Sequence, residues 1–208
     1  MNEIINYYTN IHFIEWLAVI ASLAYVIFAA YNKIACWPAA IISTVLYTVI
    51  FYEYYLWSDS ALQIYYLVMA LYGWYCWRDN NDAEKKHEAQ VLSITTWSLI
   101  THVKVIIILT LLSLVAGHLM AINTPADFPY LDAATTVFAV FATYLVTQKV
   151  LENWLYWIVI DFVSIYLYVE KALLPTAFLF SLFVVIACFG YFKWLKIYTA
   201  NTNDPVSI

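Results

Sequence analysis

"GWYCW" (residues 73–77) and "GYFKW" (190–194) close two apolar stretches that lie 117 residues apart. The same ungapped shift sets Trp37 on Trp154, Glu53 on Glu170 and the acidic Glu15 on Asp132. The chain has only three glycines, so a paired glycine carries more weight than any match between apolar residues. The sequence therefore reads as an internal repeat.

Composition sets the class. Of 208 residues, 65% are hydrophobic and 11% charged, with a mean hydropathy of +0.77. A soluble domain is nearer half apolar and a quarter charged. A polytopic α-helical membrane protein fits, with the lipid bilayer as its main surroundings. Aromatic residues reach 19%, enough for interfacial belts with some left to line a site. The net charge of −5 says little by itself, but the lack of any long basic run argues against nucleic acid as a partner. Cys36, Cys76 and Cys188 are scattered and form no metal or disulfide pattern. No metal and no cofactor are expected. The first apolar stretch lacks a basic leader and a cleavage site, and reads as a retained helix.

A helix needs about 20 residues to cross the hydrocarbon core. Seven stretches qualify: 13–32, 37–56, 60–77, 98–118, 131–148, 153–169 and 173–193. Pro38 and Pro175 fall at helix starts, where proline is tolerated best. "RDNNDAEKKHEAQ" (78–90) reads as a solvated loop and "NTPADFP" (123–129) as a turn-rich one. The expected organisation is a first three-helix repeat (1–78), a linker carrying the fourth helix (79–126), a second repeat (127–196) and a cytoplasmic tail (197–208). This is an all-α, 3+1+3 plan with parallel repeats. Transporters built from repeats hold their substrate near the midplane, at the repeat interface. With the N-terminus outside, Lys33, Arg78, Lys85, Lys86, Lys104, Lys149, Lys193 and Lys196 fall on or near the cytoplasmic side. Only Lys171 falls outside, so the positive-inside rule predicts N-out and C-in.

"ENWLYWIVID" (152–161) supplies the candidate site. Asp161 lies nine residues into the sixth stretch, about 13 Å at 1.5 Å per residue, near the bilayer midplane. An Asp there costs about 2.5–3.5 kcal/mol on insertion scales and generally faces the protein interior. Trp154, Trp157 and Asp161 share one helical face. Two π-faces and a carboxylate suit a flat cation. The bland alternatives are packing or interfacial anchoring for the indoles and an interhelical ion pair or hydrogen bond for the acid. Gln63 is either a ligand group or interhelical glue. Thr44, preceded by Ser43, stands where the repeat has Asp161, and a hydroxyl bonded back to its own helix is the plain reading. Tyr66 and Trp37 complete the candidate set. Glu15, Glu53, Asp132 and Glu170 fall near the outer face as solvated rim residues. His102 and His118 carry no ligand spacing.

The blocks "CWPAAIISTVLYTVIFYEYYLWSDSALQIYYLVMALYGWYCW" and "LVTQKVLENWLYWIVIDFVSIYLY" resemble the PnuC family of vitamin transporters, itself similar in plan to SWEET sugar transporters. The most specific mark is W-x-x-W-x-x-x-[ND], here Trp154, Trp157 and Asp161, supported by Gln63 and the G-W-Y-x-W element. The resemblance implies a facilitator for a vitamin precursor in the bacterial inner membrane, with retention by cytoplasmic phosphorylation of the vitamin. The nicotinamide riboside branch tends to carry Asn at the positions of Ser43, Ala70 and Asp161. Lost amides remove partners for a ribose, and a carboxylate suits an aminopyrimidine. Thiamine is thus the favoured substrate, nicotinamide riboside the alternative, and neutral riboflavin the poorest fit. A proton-coupled transporter and a non-transport membrane protein are more distant rivals. A retinal protein lacks its mid-helix lysine, and an enzyme or ATP-driven pump lacks its motifs. Association of copies through lipid-facing aromatics is a further expectation.

Overall fold

The computed structural model describes residues 2–53, 57–83 and 92–203. It contains seven helices: α1 (Asn2–Ala30), α2 (Cys36–Glu53), α3 (Trp57–Ala83), α4 (Leu99–Asn123), α5 (Pro129–Thr147), α6 (Asn153–Glu170) and α7 (Leu174–Asn203). By length and composition, α1, α2, α4, α5 and α7 can each cross a membrane. In α6 the shortfall comes from Asn153, Asp161 and Glu170 together with its indoles and phenols. In α3 it comes from polar groups such as Ser58, Gln63, Arg78 and Asp79. The protein is an all-helical, multi-pass membrane protein.

Two compact units divide the chain, residues 1–92 and 93–208. In the first, α2 packs against both α1 and α3. In the second, α6 packs against α5 and α7, and α4 packs on α5. The offset of 117 recurs in the helix boundaries. It relates the ends of α1 and α5, both ends of α2 and α6, and the starts of α3 and α7. It also relates Asn32 and Lys149, which leave α1 and α5 in the left-handed conformation with φ of 53° and 51°. Behind each, the chain closes the helix end: Lys33 N–H donates to the Phe28 carbonyl at 2.9 Å and Val150 N–H to the Leu145 carbonyl at 3.0 Å. These six-residue closures satisfy carbonyls that the helix leaves unpaired.

A shared packing device holds each set. Trp37 starts α2 and is 1% exposed. Its indole lies on Gly73 of α3 and meets the Trp77 ring edge-on, with centroids 5.2 Å apart at 88°. Trp154 starts α6 and is 2% exposed. Its ring lies on Gly190 of α7 and meets Trp194 edge-on at 5.5 Å and 89°. Glycine is required at both places because a Cβ would occupy the space of the ring.

Three expectations change. Residues 78–83 are helical, because α3 runs to Ala83; residues 84–90 of the expected loop lie outside the described residues. Helix α7 likewise continues to Asn203, into the expected tail, and α1 begins at Asn2 rather than at residue 13. Polar sequence at a helix end has no apolar stripe to mark it, yet its backbone bonds continue. Third, Asp132 is not a free rim acid. Both its carboxylate oxygens take hydrogen bonds from Lys171 Nζ, at 3.3 and 3.2 Å. The one basic residue expected on the outer side is therefore neutralised locally.

The second unit also has a strap. Residues 93–98 run beside the α5–α6 corner, where Thr95 N–H donates to the Lys149 carbonyl at 3.0 Å and Leu151 N–H to the Thr95 carbonyl at 2.8 Å. Ser98 then caps α4 by accepting from Thr101 N–H. Replacing Gly73 or Gly190 by Ala drives a methyl group into a closed indole seat. Overpacking of this kind costs about 1–3 kcal/mol, so each variant should unfold several degrees below the parent in a thermal melt in detergent, ~2–4 °C per kcal/mol. Unchanged melts would mean that the rings have room to move.

Candidate functional site

Helix α6 carries the chemistry. It starts directly after the left-handed residue Lys149 and the turn at 150–152, and Asn153 fixes that start by donating from Nδ2 to the Val150 carbonyl at 2.6 Å. Asp161 lies midway along the helix and is 4% exposed. Among the described residues it has no hydrogen bond and no ion pair. The ion-pair reading for a buried acid is thus set aside in this structure. Burying an ion without a partner is among the costlier arrangements a protein can hold, and a waiting ligand is the ordinary reason to keep one. Ser164, buried and one turn on, shares the Asp161 face.

Trp157 stands one turn before Asp161. It is half-buried, and it packs against the α5–α6 core that includes Ala139, Ala142, Tyr156 and Ile160. It therefore has a fixed body and some open surface. Trp154 differs. With Gly190 under its face and Trp194 on its edge, no free face remains for a guest. The expected stacking role does not fit the enclosed ring; it acts as the wedge between α6 and α7. The same holds for Trp37 between α2 and α3.

In the first unit, Gln63 is half-buried on α3 and has no hydrogen bond among the described residues, so it is not serving as glue there. Tyr66, one turn later, is half-buried with its ring 5.6 Å from that of Tyr65. Thr44 is buried, and its hydroxyl donates to its own helix, with the Ala40 carbonyl at 2.9 Å and the Ile41 carbonyl at 3.1 Å. The plain reading of that hydroxyl holds. Ser43 reaches the Ala18 carbonyl of α1 at 3.4 Å. Gln63 and Tyr66 thus share a face of α3, Asp161 and Trp157 share a face of α6, and Thr44 is occupied locally.

Sequence reasoning passed over one polar cluster. His102 of α4, 9% exposed, places Nδ1 3.0 Å from the Tyr156 hydroxyl and Nε2 3.7 Å from a Glu152 oxygen. Its partners are some fifty residues away, so no local spacing could reveal them. Among the described residues no three His, Cys, Asp or Glu side chains converge as metal ligands would.

The sequence matches the family described as nicotinamide mononucleotide transporter over residues 12–196. It is 26% identical to the nicotinamide riboside transporter PnuC of Escherichia coli (strain K12), covering 90% of this chain and 87% of that protein. Identity to the nicotinamide riboside transporter PnuC of Haemophilus influenzae is also 26%, over 88% of this chain and 80% of that one. A crystal structure of the vitamin B3 transporter PnuC has the same fold, with a TM-score of 0.72 at 19% identity over 95% of this chain and 87% of that one.

The state of Asp161 has a direct consequence for stability. Replacing an acid that holds the fold by a buried pair costs about 3–5 kcal/mol. Replacing a partnerless one by its isosteric amide removes a desolvation cost. Asp161→Asn should therefore melt at or above the parent temperature in detergent without ligand. A marked fall would assign the carboxylate to structure. Thr44→Val removes only a hydroxyl satisfied within its own helix, and should change ligand affinity by less than about threefold, under 1 kcal/mol.

Proposed function

The chain belongs to the nicotinamide mononucleotide transporter family, and from that premise we propose that it carries nicotinamide riboside across the bacterial inner membrane. The family is one of membrane transporters. The observation that carries the reading is Asp161, a buried carboxylate with no partner among the described residues, one turn from the half-buried Trp157. Nicotinamide riboside presents a flat pyridinium cation. The carboxylate offsets its charge, the indole face attracts the ring, and both contacts gain strength where water is excluded.

The relatives favour this substrate over thiamine, which the sequence put first because of the acid and the lost amides. The similar proteins from Escherichia coli, Haemophilus influenzae and Neisseria mucosa are all named nicotinamide riboside transporters. A single acid is compatible with either cation, so the carboxylate does not favour thiamine on charge. Gln63 offers an amide with no hydrogen bond among the described residues for a carboxamide or a ribose hydroxyl. Tyr66 stands beside it as a second polar contact, and Thr44 contributes at most its oxygen lone pairs. Trp154 and Trp37 act as wedges that fix the axes of α6 and α2.

Transport then proceeds by alternating access, as a facilitator, in a 3+1+3 arrangement. The N-terminus lies outside. Lys104, Lys149, Lys193 and Lys196 fall toward one end of the second unit, and Lys171 at the other is paired with Asp132. A closed ion pair weakens Lys171 as an orientation signal and leaves the remaining bias to set the direction.

Uptake into proteoliposomes tests the substrate. Radiolabelled nicotinamide riboside should equilibrate without an ion gradient, and unlabelled thiamine or riboflavin should compete weakly. Asp161→Asn and Trp157→Ala should each raise its Kd by about tenfold or more, the loss of a charge-assisted contact or a desolvated cation–π contact. Preferential thiamine uptake, or affinity unchanged in both variants, would overturn the reading.

A further inference from the structure

A cavity lies in the 93–208 unit, on the other side of α6 from Asp161. It is a groove of about 740 Å³ between α4, α5 and α6. Ile106, Leu131, Ala134 and Val163 line its apolar length. Leu99, Leu155 and Val159 stand at its mouth with 78%, 42% and 63% of their surfaces exposed, as lipid-facing residues on spanning helices do. Its volume is within the range of sites for small ligands, about 300–1,000 Å³. One end is polar, and the groups there do not complete one another.

That end is formed by His102, Tyr156 and Glu152, with Trp97 beside them. Trp97 N–H donates to a Glu152 oxygen at 3.3 Å, which fixes the carboxylate. The His102 Nδ1 is engaged with the Tyr156 hydroxyl at 3.0 Å. Its Nε2 is buried, has no hydrogen-bond partner among the described residues, and faces Glu152 across 3.7 Å. When Nδ1–H donates to Tyr156, Nε2 is a bare acceptor opposite a carboxylate. A donor with more than one N–H satisfies both. The Trp97, Tyr156 and Phe141 rings cluster around the same point, with Trp97 5.9 Å from the imidazole. A carboxylate among aromatic rings favours a cation and disfavours an anion.

From this geometry we infer that the groove is a binding site for one bilayer phospholipid with a primary ammonium headgroup. The ammonium donates to Glu152 and His102, and an acyl chain fills the apolar length. Three N–H donors distinguish this headgroup from choline, which has none, and the positive charge distinguishes it from glycerol. The site holds the strap at 93–98, the start of α4 and the start of α6 together at one end of the unit.

Native mass spectrometry of the full-length purified protein tests it. The protein is exchanged into ethanolamine, glycerol and choline phospholipids with identical acyl chains. The ethanolamine lipid should be retained about tenfold more than either of the others, the strength expected of a charge-assisted hydrogen bond. Glu152→Gln keeps an acceptor for Trp97 but removes the charge, and should reduce retention of the ethanolamine lipid to the level of the others. Ala134→Phe fills the groove away from the polar end, and should abolish retention of all three. Equal retention of the three lipids by the parent overturns the inference. So does retention of the ethanolamine lipid unchanged in both variants. Self-association lost in Ala134→Phe with lipid retention intact would also overturn it, by giving the groove to a second copy.

Discussion

An indole resting on the backbone of a glycine sets the spacing inside each half of this protein. Lipid chains are as apolar as leucine, so burying apolar surface does little to bring spanning helices together. Close packing must do it. Trp37 on Gly73 and Trp154 on Gly190 join a large rigid plate to the one residue that leaves room for it. The edge-on contacts to Trp77 and Trp194 then fix the ring in rotation as well as position. Because each plate sits at the start of a middle helix, it fixes where the rest of that helix points. For α6 this means the direction of Asp161, two turns further along.

The repeat was legible because it is written in scarce residues. Glycine and tryptophan matched at a fixed offset, and the offset returned in helix ends and in the left-handed residues Asn32 and Lys149. Helix position was legible wherever an apolar stretch began or ended sharply. It was not legible before residue 13, at Arg78–Ala83 or beyond Lys196, where more polar sequence continues a helix without a sharp apolar edge. The strap at 93–98 was invisible too. Its contacts to Lys149 and Leu151 are between backbone groups, which carry no residue code.

The candidate site was legible in part. Helical spacing put Trp154, Trp157 and Asp161 on one side of α6, but spacing gives angle and not depth. Trp154 is near the helix start, where α7 is close enough to enclose it; Trp157 is a turn further on and only half-covered. An indole pair that looks uniform in sequence thus divides into a packing residue and an accessible one. Gln63 and Thr44 divide in a similar way. The amide has no hydrogen bond among the described residues, whereas the hydroxyl is short enough to bond the carbonyl one turn back.

The repeat breaks where the proposed chemistry needs it to break. Position 44 in α2 corresponds to 161 in α6, and a threonine stands where the other half has its acid. A symmetric pair of buried carboxylates would pay the desolvation cost twice and would repel wherever they faced each other. One monovalent cation could offset only one of them. A single acid gives a neutral ion pair with a singly charged guest, and a satisfied hydroxyl on the equivalent turn adds no charge. The wedges are duplicated because both halves must pack, and the single carboxylate matches the one charge of the proposed cargo.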